Sequence, residues 1–178
     1  MKIVVSLQIE PPRKSIDPNE LTDFAEAVVR TIKLSQGKSG AGIGILITRG
    51  AELQRLNRRF RRKNKPTDVL SFPAAAIDHG KDYPFVHLGD IAISADIAAD
   101  NARRLGHSIQ DEVKILILHG VLHLSGHDHA SDKGQMAALE TKLRRKFQLP
   151  ASLIERAGPG RTSRGRKSPN RQGNRRKA

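Results

Sequence analysis

The amino-acid sequence predicts an α+β fold, and three observations carry that prediction. Apolar residues recur at period two in one stretch and at helical spacing in others. The two kinds of segment interleave without a regular strand–helix repeat, which favours α+β over a doubly wound sheet. Capping residues mark several helix starts. At 178 residues the chain is long enough for one domain with a substantial core.

The elements follow in order. Ile3, Val5, Leu7 and Ile9 alternate, which gives a first strand. Asp17-Pro18-Asn19-Glu20 starts a helix, with an N-cap, a proline in the first turn and a carboxylate at N3. Leu21, Phe24, Ala25, Val28 and Ile32 form its apolar face. Residues 42–48 read as a buried second strand. Leu53, Leu56 and Phe60 mark a short helix. Residues 68–72 and 88–93 read as two more strands, separated by a polar loop containing Pro73, Gly80 and Pro84. Ser94 caps a helix that ends at Gly106, and Ser108 with Asp111 opens the next. Met136, Leu139, Leu143 and Phe147 form one face of a last helix, followed by Pro150. The total is about four strands and five helices.

The formal charge of +14 points to a polyanionic partner. Nucleic acid fits better than membrane, because no apolar run approaches the ~20 residues of a spanning helix. The first ten residues are too short and too alternating for a signal peptide, so the expected location is the cytoplasm. With no cysteine, disulfides and thiolate metal sites are excluded. Aromatic residues make up 3% of the chain, too few for base stacking to be the main means of holding RNA. Residues 158–178 carry eight Lys/Arg and no acid, leaving +6 for residues 1–157. That tail has no apolar residue larger than alanine and is expected to be disordered, attaching weakly to RNA.

The strongest chemical signal is the run from His119 to His129. His119 and His123 are four apart and leave one helix face a turn apart. Gly126 can end the helix and turn the chain, so that His129 meets the other two. Three imidazoles meeting at one point form a zinc site with an open fourth position, the mark of a catalytic rather than a structural centre. Zinc held in this way lowers the pKa of a bound water toward about 7. The same ligands also suit nickel or copper.

The spacing matches the long zinc-protease signature except at one residue. That signature needs a glutamate after the first histidine, and here Gly120 stands there. Peptide cleavage needs an acid/base group to protonate the leaving amine. Phosphodiester cleavage leans more on neutralising charge at oxygen, so the reading moves to phosphoester hydrolysis. Asp128 can orient His129 or act in catalysis. Glu112, seven residues before His119, is expected to be an exposed first-turn carboxylate favoured by the helix dipole. His127 is expected to face solvent. His79, His87 and His107 read as ordinary loop or surface residues. Arg55, Arg58, Arg59, Arg61, Arg62, Lys63 and Lys65 form a basic cluster, from which one or two residues can clamp a phosphate.

At this point the residues resemble the YbeY family of bacterial metallo-endoribonucleases. Residues 119–129 resemble its histidine signature. Leu56-Asn57-Arg58-Arg59-Phe60-Arg61, with residues 65–73 (Lys-Pro-Thr-Asp-Val-Leu-Ser-Phe-Pro), resembles a second element, and residues 88–94 (Leu-Gly-Asp-Ile-Ala-Ile-Ser) a third. Met136 and Glu140 sit where the family's next helix usually carries them. The resemblance implies a small mixed sheet with helices packed on it and a single-strand-specific, zinc-dependent endoribonuclease. It also implies a role in 3′-end maturation of small-subunit (16S) rRNA and in ribosome quality control, with rRNA and the small subunit as partners. His119, His123 and His129 match the ligands of one Zn²⁺, and Arg61 joins His119 as a catalytic candidate. Asp68, Asp90 and Asp128 are candidates to orient a ligand or touch substrate. Two features depart from the family pattern: His127 stands where a tyrosine is usual, and the basic tail is extra. The second reading is a ribosome-assembly RNA-binding factor with a mainly structural zinc. It is disfavoured because a structural site normally closes with a fourth protein ligand.

Overall fold

The computed structural model describes residues 2–11, 14–34, 40–74, 85–127 and 134–150. The expectations for the tail at 158–178, for the loop around Gly80, and for His79, Asp128 and His129 fall outside these residues. Four strands form one sheet: β1 (Lys2–Ile9), β2 (Gly40–Thr48), β3 (Val69–Pro73) and β4 (Phe85–Ser94), in the order β1-β2-β4-β3. β1 runs parallel to β2 and β2 parallel to β4, while β3 pairs antiparallel with β4 at the edge. The sheet is therefore mixed. The helices are α1 (Pro18–Thr31), α2 (Gly50–Arg61), α3 (Ala95–Leu105), α4 (Ile109–Leu124) and α5 (Gln135–Lys146).

Local chemistry explains the helix ends. Asp17 caps α1, its Oδ1 accepting from the Asn19 N–H at 2.9 Å. Ser108 caps α4, its Oγ accepting from the Asp111 N–H at 3.0 Å. Helix α2 has no side-chain cap of its own, and the Gly50 N–H is satisfied by Asp96 Oδ2 of α3 at 2.7 Å. Helix α4 ends where Gly126 takes φ +88°. The His127 N–H then donates back to the Leu122 carbonyl at 3.2 Å, closing the turn as a left-handed cap does.

The core lies on one face of the sheet. Ile43, Ile45 and Ile47 of β2 and Ile91 and Ile93 of β4 pack with α1, α4 and α5 in a single buried cluster. Each fully buried aliphatic side chain of this kind contributes roughly 1.5–3 kcal/mol. On the opposite face α2 covers a smaller cluster of Leu53, Leu70 and Ala92. Two details refine the sequence reading. β4 begins at Phe85, three residues early, and its pairing with β2 shifts register beside Ile43. Phe60, one of the three apolar residues that mark α2, is 57% exposed. Asn57 takes the inner position, its Nδ2 donating to the Lys65 carbonyl at 2.8 Å. Among the described residues no helix is long and apolar enough to cross a membrane.

Candidate metal centre

Helix α4 is apolar nearly all round, because it lies between the sheet and helices α1, α3 and α5. Ten of its sixteen residues are buried. Glu112, His119 and His123 recur along one side at intervals of seven and four, the spacing of a single helical face. The ring nitrogens His119 Nε2 and His123 Nε2 lie 3.1 Å apart, with the ring planes 72° apart. Two nitrogens each about 2.0–2.1 Å from a tetrahedral ion stand at nearly that separation. The donor set, two half-buried imidazoles with no thiolate, suits a borderline metal.

The other nitrogen of the first histidine is held in place. His119 Nδ1 lies 3.0 Å from Glu140 Oε2 of α5. A carboxylate only accepts, so Nδ1 carries the proton and Nε2 keeps its lone pair. Glu140 is braced in turn by Arg144, whose Nε donates to Oε1 at 3.0 Å and whose Nη2 reaches the same oxygen. Burial raises the Glu140 pKa, but the His119 hydrogen bond and the Arg144 charge outweigh it and hold the carboxyl at about 2. Glu140 is therefore ionised wherever the protein is folded near neutrality.

Gly120 has a packing reason to be glycine. A Cβ there would stand 2.8 Å from Cγ2 and 2.9 Å from Cδ1 of Ile91. The glutamate of the protease signature has no room against β4. Nearby, Ser71 Oγ of β3 donates to the Gly120 carbonyl at 3.3 Å. Arg61 Nη2 donates to the main-chain oxygen of the same Ser71, also at 3.3 Å. The family-derived arginine and the histidine helix thus meet the same strand residue.

The remaining candidates separate. Asp68 accepts from the Val69 N–H at 2.9 Å and lines a cavity together with His119. Asp90 pairs in register with Phe72, on the face of α2 and away from α4, and its Oδ1 meets His87 Nε2 at 3.2 Å. The fold does not bring Asp90 to the histidine pair. His127 is half-buried rather than open to solvent, and lines a groove with Lys33, Lys142 and Lys146. Glu112 is not the exposed carboxylate expected, and His107 is not a surface histidine. Their side chains are each 6% exposed, with His107 Nε2 2.7 Å from Glu112 Oε2. Among the described residues no third His, Asp or Glu joins His119 and His123 in a metal-holding group. The sequence reading took Glu140 from resemblance alone and missed Arg144. The Glu140–Arg144 spacing of four on an apolar helix face was the available signal.

Fold and site together define an α+β protein with an imidazole pair of fixed tautomer at the end of a buried helix. A family model described as Endoribonuclease YbeY matches residues 7–148. A protein of Koribacter versatilis named Endoribonuclease YbeY is 55% identical over 127 residues, covering 69% of this chain and 78% of the relative. Proteins of the same name from Solibacter usitatus and Nautilia profundicola are 53% identical over 117 residues and 40% over 141. These alignments cover 66% and 79% of this chain, and 74% and 97% of the relatives. The chain belongs to the endoribonuclease YbeY family.

Proposed function

We propose that this protein is a zinc-dependent endoribonuclease that cuts single-stranded RNA, with the 3′ end of small-subunit rRNA as its target during ribosome maturation and quality control. The observation that carries the reading is the convergent Nε2 pair of His119 and His123, with Nδ1 of His119 fixed by Glu140. His119, His123 and, from the sequence, His129 would hold the metal. Bound zinc supplies Lewis acidity toward a phosphate oxygen. Glu140 keeps His119 in the tautomer that offers a lone pair, and Arg144 keeps Glu140 ionised. Arg61 is anchored at the strand touching Gly120 and offers a permanent cation to phosphate charge. The charge of +14 draws a polyanion to this surface.

The test is cleavage of single-stranded RNA by purified protein, with and without chelator, beside His119→Ala and Arg61→Ala. Chelation and His119→Ala should abolish cleavage, and Arg61→Ala should slow it by about 100-fold or more. Equal cleavage in every sample would identify a contaminating nuclease and overturn the reading. A zinc that lowers the melting temperature on removal, with cleavage at background throughout, would favour a structural metal in an RNA-binding factor.

A further inference from the structure

Helix α2 ends in a surface that the metal centre does not account for. Among the described residues, Val4 and Phe60 are the large apolar side chains left exposed, and Phe60 is the more open at 57%. A lone exposed ring needs no explanation in itself, but this one is held. It packs on Phe72 of β3 in a T-shaped contact, with centroids 5.2 Å apart and planes 69° apart. It also lies among cations. Arg58, Arg59, Arg61, Arg62, Lys63 and Lys65 are all exposed, and no acid falls between Leu53 and Asp68. The Arg59 guanidinium stands 5.3 Å from the centre of the Phe60 ring. The loop that carries Lys63 and Lys65 is tied back to the helix. Asn57 Nδ2 donates to the Lys65 carbonyl at 2.8 Å, and Gln54 Nε2 donates to Asn64 Oδ1 at 3.0 Å.

We propose that Phe60 is a stacking platform for one unpaired base of a bound RNA strand, beside the phosphate that Arg61 meets. This inference takes its ligand from the RNA-cleaving reading and adds a base contact to it. The placement follows from β3. Arg61 donates to the main-chain oxygen of Ser71, and the Phe60 ring packs on Phe72, the next residue. Cation and ring are thus anchored to neighbouring residues of one strand, and a nucleotide chain held by the first brings a base to the second. The surroundings favour a base over an apolar protein side chain. Every nucleobase has a π-face and arrives on a polyanion, which these cations attract. Guanidinium planes stack on bases too, so Arg59 extends the platform. With the ring braced by Phe72 and the loop tied down, little ordering is left for binding to supply. One platform also suits a chain with 3% aromatic residues: phosphate charge holds the strand, and a single ring fixes its register.

The test is binding rather than cleavage. Short labelled single strands with 2′-O-methyl sugars are titrated by anisotropy onto the full chain as wild type, Phe60→Leu and Phe60→Trp. Leucine keeps an apolar side chain and loses the π-face. Phe60→Leu should weaken binding about tenfold with an unchanged salt slope, because no cation is lost. Phe60→Trp should bind at least as tightly as wild type. The chain has no tryptophan, so Phe60→Trp carries its own probe. Its indole emission should be quenched by the strand and unaffected by inorganic polyphosphate, which brings the charge without the bases. Wild-type affinity in a folded Phe60→Leu protein, or equal quenching by strand and polyphosphate, would overturn the proposal and leave the ring to packing or to a protein partner. Should Phe60→Leu fail to fold, the quenching decides. These strands resist cleavage, so a protein that stacks them but cuts no RNA would defeat the nuclease reading and leave the platform standing.

Discussion

Helices α2 and α4 both carry candidate functional residues, yet they carry them under opposite constraints. Ten residues of α4 are buried, against two of twelve in α2, Leu53 and Asn57. On α4 a polar side chain has to be held by a partner, because burying one unpaired costs several kcal/mol. Each polar residue along its inner side, Glu112 or His119, accordingly has a named partner. On α2 a cation costs almost nothing, because most of the helix faces water. Arg58, Arg59 and Arg62 are exposed, and Arg55 pairs with Glu52 of its own helix. A charge therefore carries information in proportion to its burial. The α4 residues make a site, whereas most of α2 makes a surface.

The sharpest way to break that contrast is to remove a partner on the buried side. Glu140→Gln should weaken zinc binding by about 10- to 100-fold, read as metal per chain against a competing chelator. The same carboxyl sets an acid response. Its folded pKa of about 2 lies below the ordinary 4.5. Its contribution is therefore complete above about pH 4.5 and is lost as pH falls through 2. For metal-free protein this is a loss of roughly 3 kcal/mol across that window, measured by denaturant melts of wild type against Glu140→Gln. An acid profile shared by both proteins would show that Glu140 is not the group responsible.

A middle-sized effect tests the packing that positions the histidines. Gly120→Ala should cost about 1–3 kcal/mol, because its Cβ drives into Ile91, a core residue only 1% exposed. Unchanged stability would mean that α4 has slack against the sheet. The smallest effect belongs to the exposed side. Arg58→Ala should leave stability within about 0.5 kcal/mol and lower the salt dependence of RNA binding by about 0.7 in log–log slope. A loss of more than about 2 kcal/mol would show that α2 is not the tolerant surface described here.

How much was legible in the sequence follows the same division. Strong local signals survived folding: the Asp17 and Ser108 caps, the alternation of β1 and the glycine stop after His123 all sit where the pattern put them. The mixed strand order rested on family resemblance, since local periodicity says nothing of which strands pair. Glu112 and His107 were misread because a first-turn carboxylate beside a turn is usually solvated. Here the packing of α3 on α4 closes over both. Leu53, Leu56 and Phe60 mark α2 correctly, but their spacing does not tell that Asn57 and not Phe60 is buried. Asn57 takes the inner position instead, satisfying the Lys65 carbonyl. Glu140 has its brace Arg144 one turn away, but its partner His119 is 21 residues off, where no local pattern points to it.

Ser71 meets one catalytic candidate directly and the other through the helix turn that carries it. Its hydroxyl grips the turn of α4 at Gly120, and its carbonyl holds the guanidinium of Arg61. The spacing between cation and imidazoles is thus gauged from one point on an edge strand, with no hinge between them. A change at this serine would disturb both ends at once, so the tolerances of the whole centre are set by a residue that no substrate needs to meet.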